Sequence, residues 1–108
     1  MYRYQIEDFE YSVLEDWLTN KANLQKELSN GNISPERKEH LTTILTAIEK
    51  LQSKVSDTHR KIIELLYFEE YYPEEVADEI GYRLSRLNSS KKIILQRFAA
   101  ELGWINPF

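Results

Sequence analysis

The fold is decided by residues 73–92, which read PEEVADEIGYRLSRLNSSKK. Pro73, followed by two acids, predicts a helix start, because proline fits the first helical position and negative charge stabilises the N-terminal end of a helix. Gly81 predicts the end of that helix, since glycine readily adopts the left-handed backbone of a C-terminal cap. The stretch therefore predicts two helices, at about 73–80 and 83–101, joined by a tight turn.

The spacing within this stretch is typical of a helix-turn-helix. Such a unit needs a small residue where its two helices cross closely and, four residues later, a glycine with positive φ in the turn. Ala77 and Gly81 meet both requirements. Ser90 departs from the pattern, because the second helix is expected to bury an apolar residue near that position. Apolar residues do occupy the core-facing positions on either side of the turn: Val76, Ile80, Tyr82 and Leu87.

Upstream of this unit, helical spacing of apolar residues predicts two longer helices. The first spans residues 3–29, and Gly31 is expected to supply its left-handed C-terminal cap. Ser34, Pro35 and Glu36 then provide a cap, a proline and an acid, which together predict the start of the second helix. That helix carries a heptad-like apolar stripe: Leu41, Ile44, Ile48, Leu51 and Val55.

The continuation beyond this stripe has two interpretations. Apolar residues keep the same helical spacing as far as Leu65, so one helix could continue through the region. Alternatively, Ser56 and Asp57 are typical of the start of a new helix. The sequence favours the break and a third helix at about 57–69. We therefore predict an all-α fold, packed as a single domain. Residues 1–55 would form an N-terminal antiparallel helical hairpin about 30 Å long, suited to oligomerisation, and residues 56–108 a helix-turn-helix unit.

Composition narrows the class of protein. The chain has 108 residues and 42% hydrophobic residues, which fits one domain, and it has no cysteine, which excludes disulfides and zinc sites with cysteine ligands. The N-terminal sequence does not resemble a signal peptide, and no run of about 18 apolar residues predicts a membrane span. We expect a cytoplasmic protein with no membrane partner.

The net charge of −4 conceals a separation of charge along the chain. Residues 64–80 contain seven acids and no base, whereas residues 81–100 contain five bases and no acid. Such a separation is typical of a domain with one basic working face, although two solvated helix faces of opposite sign would give the same pattern. The five bases are Arg83, Arg86, Lys91, Lys92 and Arg97.

Three runs together resemble a known family: HRKIIELLYF at 59–68, PEEVADEIGY at 73–82 and KKIILQRF at 91–98. They resemble the region-four domain of bacterial sigma factors. They are still more similar to the small late-transcription activators of phages of Gram-positive bacteria, the RinA and ArpU type. The resemblance covers residues 57–102, about half of the chain.

The resemblance implies sequence-specific binding of double-stranded DNA in a bacterial host cell, with the second helix of the unit in the major groove. Bacterial RNA polymerase is a further partner that it suggests. Where the family usually has a capping serine or threonine after the tyrosine of the turn, this chain has Arg83, and the missing cap would cost ~1 kcal/mol. Carried over by position, the groove-facing residues are Arg83, Leu84, Ser85, Asn88 and Ser89, with Arg86, Lys91 and Lys92 near phosphates.

Other functions stay open as alternatives. A phage packaging protein such as a small terminase subunit also joins a helix-turn-helix to oligomerising helices, and an adaptor could contact RNA polymerase without binding DNA. A homodimer is expected if the operator has two-fold symmetry. No enzyme, cofactor or metal site is predicted, because His40 and His59 have no ligand pattern around them and the chain has no glycine-rich phosphate loop.

Overall fold

A computed structural model describes residues 6–105 of the chain. These residues form helices and no strand, which confirms the all-α fold class. None of the helices in this part of the chain combines the length and apolar character needed to cross a bilayer. The helices are α1 (Asp8–Thr19), α2 (Lys21–Leu28), α3 (Pro35–Lys54), α4 (Asp57–Ile63), which continues into a π-helical turn (Glu64–Phe68), α5 (Pro73–Ile80) and α6 (Leu84–Glu101).

The single helix predicted over residues 3–29 is wrong, and residues 3–5 lie outside the described part. The chain leaves the helix at Asn20, where φ is −95° and ψ is 15°. The Asn20 side chain donates a hydrogen bond to the carbonyl of Asp16 (2.8 Å), a local bond that competes with helix continuation. The break separates α1 from α2, so that each can pack against a different partner.

The cap predicted at Gly31 is also wrong. The helix ends earlier, at Leu28, with Ser29 in a right-handed conformation (φ −77°, ψ −7°). The Ser29 hydroxyl donates to the carbonyl of Lys26 (2.8 Å) and so satisfies one of the last carbonyls of the helix. Gly31 is not among the residues with positive φ, so this end of the helix does not require a glycine.

The two downstream helix starts are confirmed. The Ser34 hydroxyl accepts a hydrogen bond from the amide of Arg37 (3.2 Å) at the start of α3. The Ser56 hydroxyl accepts one from the amide of His59 (3.2 Å) at the start of α4. Between them Val55 is extended, with ψ at 163°, so α3 and α4 are separate helices. Each serine thus pairs an amide that the first turn of a helix would otherwise leave free.

The N-terminal hairpin differs from the predicted one, because α3 pairs with the short α2. Lys21 bonds Gln52 (3.2 Å) and Glu27 pairs with Arg37 (2.6 Å), so the two helices run antiparallel. Helix α1 packs on α6 and on the π-helical turn instead. The apolar stripe of α3 is buried by the chain itself and leaves no apolar seam for a second subunit: Leu41 0%, Ile44 1%, Ile48 0%, Leu51 1% and Val55 5% exposed.

Helix α6 lies at the centre of the fold and packs against α1, α3, α4 and α5. Leu87, Ile94 and Phe98 on its inner face are completely buried. Ser90 lies on the same face and is 7% exposed, so a small polar residue occupies the position where the sequence pattern expects an apolar one. Both halves of the chain contribute to this one core, which fixes α6 relative to every helix around it.

The turn between α5 and α6 has the conformation that the sequence predicts. Gly81 has φ 74° and ψ 30°, in the left-handed region. The amide of Tyr82 donates to the carbonyl of Ala77 (2.8 Å), and the amide of Gly81 donates to the carbonyl of Asp78 (3.3 Å). This pair of bonds is a Schellman motif, which ends α5 and turns the chain into α6 within three residues.

The turn predicts a difference between two glycine substitutions. A Cβ atom added at Gly81 or at Gly31 would meet no atom within 4 Å, but only Gly81 has a positive φ. Gly81→Ala should therefore lower the free energy of unfolding by about 1–2 kcal/mol through backbone strain alone. Gly31→Ala should leave it unchanged or raise it by about 0.5 kcal/mol. Urea unfolding of both variants measures the difference, and equal effects would contradict the role of the left-handed turn.

Candidate nucleic-acid interface

The first turns of α6 carry the residues predicted from the family resemblance. Seven of them are exposed, because Leu87, Ser90 and Ile94 occupy the buried face of the same helix. Lys91, the eighth, is only half-buried. The predicted residues therefore form one surface that extends over about three turns of α6. The exposed seven are Arg83, Leu84, Ser85, Arg86, Asn88, Ser89 and Lys92.

The start of α6 lacks a side-chain cap, as the sequence predicts. Arg83 occupies the N-cap position (φ −74°, ψ 153°), and no side chain caps the first amides. The carbonyl of Arg83 accepts the first two helical bonds, from the amides of Arg86 (3.0 Å) and Leu87 (3.1 Å). The first turn contains no acid either, so the positive end of the helix dipole adds to the charge of the arginines.

Arg86 is held against the turn by an aromatic ring. Its guanidinium carbon lies 4.0 Å from the centre of the Tyr82 ring, which is a cation–π contact. Tyr82 follows Gly81 directly, so the left-handed turn also determines where this arginine lies. The contact orients the Arg86 side chain and leaves its positive charge at the surface.

Lys91 has a partner on α1 that the sequence did not predict. Its ammonium nitrogen lies 3.3 Å from Oε2 of Glu15. The same oxygen accepts a hydrogen bond from the hydroxyl of Tyr67 (2.8 Å). Tyr67 is buried, and its pKa is raised above the ordinary value, first by burial and then by the charge of Glu15. Lys91, for which the resemblance implies a place near a phosphate, is therefore ion-paired within the fold.

A groove of about 490 Å³ separates α1 from this part of α6. The Tyr11 hydroxyl accepts a hydrogen bond from Gln96 (3.2 Å) and ties the two helices together. The groove brings three of the predicted residues together with two carboxylates that sequence reasoning missed. Asp8 and Glu15 are seven residues apart and so share a helix face, but nothing in the sequence indicates which helix that face meets. The lining residues are Asp8, Tyr11, Glu15, Asn88, Lys91, Lys92 and Leu95.

The acidic residues of 64–80 lie on other elements: the π-helical turn, the loop that follows it and α5. A shallow cleft here is lined by Tyr71, Glu75, Asp78 and Glu79, and Tyr71 is 45% exposed. Glu79 lies 3.7 Å from the ammonium of Lys61. The exposed acids of α5 precede Gly81 and the exposed bases of α6 follow it, so the charge separation in the sequence is also present on the surface.

His59 on α4 lies near the fifth base. Burial first, and then the positive charge of Arg97, lower the pKa of His59 below its ordinary value of 6.5. Both effects favour the neutral form of the imidazole in the folded protein. Within residues 6–105, no three His, Cys, Asp or Glu side chains are grouped so that they could hold a metal ion.

The depressed pKa of His59 predicts a pH dependence of stability. Because the folded-state value lies below the unfolded one, the stability from a neutral His59 is complete above pH 6.5 and is lost as the pH falls below it. His59→Gln should therefore lose less unfolding free energy than wild type between about pH 8 and about pH 5. Urea unfolding across this range measures it, with His40→Gln as control. A wild-type slope in the His59 variant would contradict the prediction.

Comparison of the chain with protein-family models, with curated proteins and with solved structures finds no match. The chemistry of the surface around α6 is therefore the feature that indicates a function.

Proposed function

We propose that this protein binds double-stranded DNA through the first three turns of α6 and acts as a phage-type transcriptional regulator, with activation of late genes as its role. The proposal depends on one observation, the surface formed by residues 83–92. This surface has four basic residues and no acidic one, and seven of the eight predicted residues are exposed on it. Duplex DNA is the partner that this chemistry fits, because binding to it depends on neutralising phosphates.

The arrangement of α5 and α6 supports a helix-turn-helix. The two helices pack against each other, and three residues with a left-handed glycine connect them. Ala77 is 4% exposed, as the small residue at a close crossing should be. Leu87 and Ile94 anchor the inner face of α6 in the core, so its outer face is held rigidly for contact with a groove. The rigid, exposed outer face of the first turns of this 18-residue helix is suited to the major groove.

The exposed side chains suggest separate roles on DNA. Arg83 and Asn88 have the donors that read guanine and adenine edges, and Leu84, 41% exposed, can contact a thymine methyl group. Arg86 and Lys92 are suited to phosphates, because each presents a positive charge at the surface. The exposed acids of α5 would be repelled by the backbone and would favour an orientation in which α6 alone meets the duplex.

The family resemblance supports the regulatory part of the proposal. In a bacterial host cell such a regulator would contact RNA polymerase as well as its operator. If the operator has two-fold symmetry, the protein would bind it as a homodimer. Because the stripe of α3 is already buried, that dimer would use another surface of the chain.

The proposal predicts how DNA affinity depends on salt. Each neutralised phosphate contributes a slope of about −0.9 to log affinity against log salt. Lys92→Ala and Arg86→Ala should each lower the magnitude of this slope by about one and weaken binding to all sequences alike. Lys50→Ala, which removes an exposed charge from α3, is the matched control and should leave the slope unchanged. Fluorescence anisotropy over a salt series measures these slopes, using DNA selected from a random pool.

The base-reading residues should behave differently in the same titration. If each side chain makes a bidentate pair with a base edge, Arg83→Ala and Asn88→Ala should each reduce the difference in binding free energy between selected and random DNA by about 1–3 kcal/mol. Their effect on the salt slope should be smaller than their effect on selectivity. If the wild type selects no sequence and shows no salt-dependent binding at low ionic strength, the DNA proposal fails and the adaptor interpretation replaces it.

A further inference from the structure

We infer that α1 is a built-in inhibitor of the proposed DNA-binding surface, through carboxylates that occupy the place of DNA phosphates beside Lys91 and Lys92. The inference rests on the proposed function and concerns the regulation of the same site. It starts from the groove between α1 and α6, in which Asp8 and Glu15 face three of the candidate DNA-binding residues.

Glu15 is fixed in this position by two contacts. Its Oε2 lies 3.3 Å from the ammonium of Lys91 and accepts the Tyr67 hydroxyl at 2.8 Å. If the carboxylate moved away, the hydroxyl of the buried Tyr67 would lose its partner. The side chain of Glu15 is 33% exposed, so its negative charge still acts on an approaching phosphate. Glu15 therefore neutralises Lys91 and repels DNA at the same place.

The helix that carries Glu15 is itself firmly attached. Leu14 and Leu18 are completely buried, and Tyr11 bonds Gln96 across the groove (3.2 Å). Asp8, one turn from Tyr11, lines the same groove and adds a second negative charge beside Asn88 and Lys92. Because α1 belongs to the core, the repulsion is present whenever the protein is folded.

This contact lowers the sequence-independent part of DNA affinity. Nonspecific binding comes almost entirely from the neutralisation of phosphates by basic residues. Because Lys91 is paired with Glu15, it is not available for a phosphate, and the affinity for random DNA falls. Arg83 does not line the groove, so the base-edge contact proposed for it keeps its contribution. The acids of α1 would thus lower the affinity of this basic surface for DNA of any sequence.

The test compares Glu15→Gln with Asp16→Asn. Both variants remove one negative charge from α1, but Asp16 does not line the groove. Glutamine keeps an oxygen that can accept the Tyr67 hydroxyl. Glu15→Gln should raise affinity for duplex DNA by about three- to tenfold at low salt, for selected and random sequences alike. The salt slope should steepen by about 0.9, because Lys91 becomes free for a phosphate. Asp16→Asn should change affinity by less than about twofold.

The outcomes separate this inference from the proposed function. If the wild type binds DNA and both variants bind equally well, the inhibition is overturned while DNA binding stands. If the wild type binds and only Glu15→Gln binds more tightly than it does, both the inhibition and the DNA binding are supported. If no form binds at any salt concentration, both conclusions fail. Should circular dichroism show that Glu15→Gln is unfolded, Asp8→Asn replaces it. This exposed variant should raise affinity about twofold or more, and no increase would overturn the inference.

Discussion

The burial of one face of α6 is the interaction on which the rest of this structure depends. Helix α6 packs against four other helices, and its residues Leu87, Ile94 and Phe98 are completely buried. Burying each of these side chains contributes about 1.5–3 kcal/mol, which is a large fraction of the stability of a domain of this size. The burial of this face determines which side of α6 remains at the surface.

The same helix therefore supplies both the core and the candidate interface. The Schellman turn at Gly81 sets where α6 begins, and Tyr82 then positions Arg86 by a ring contact. The inner face needs only a small residue at position 90, and Ser90 fits there with 7% of its surface exposed. A rigid outer face costs little conformational entropy on binding, which suits recognition of a rigid duplex.

The features that the sequence predicted correctly are local ones. Ser34 and Ser56 each cap an amide three residues away, and Gly81 adopts the left-handed turn that its position indicates. These interactions involve a few neighbouring residues, so their chemistry is visible in a short stretch of sequence. The break at Asn20 is local too, but an asparagine within an apolar periodic run is a weaker signal than a serine followed by proline or acid.

The features that the sequence did not predict are contacts between distant residues. Tyr67 and Glu15 are 52 residues apart, and their hydrogen bond requires α1 to lie against the π-helical turn and α6. The apolar stripe of α3 indicates a buried face but not whether the same chain or another subunit covers it. An apolar helix face can be buried against several different helices, and the tertiary packing determines which of them covers it. The ion pair of Lys91 with Glu15 follows from that packing. The sequence therefore shows the bases of α6 but not the acids of α1 that lie beside them.

The most direct test of the central claim is a titration of isotopically labelled protein with duplex DNA, followed by the chemical shifts of backbone amides. DNA binding through the outer face of α6 predicts that the shifts of residues 83–92 change most and that the amides of Asp8–Glu15 respond as the groove adjusts. The shifts of residues 69–79, which carry most of the acids before Gly81, should change least. Changes centred on residues 69–79, or spread evenly over the chain, would contradict the claim that the outer face of α6 is the surface that meets DNA.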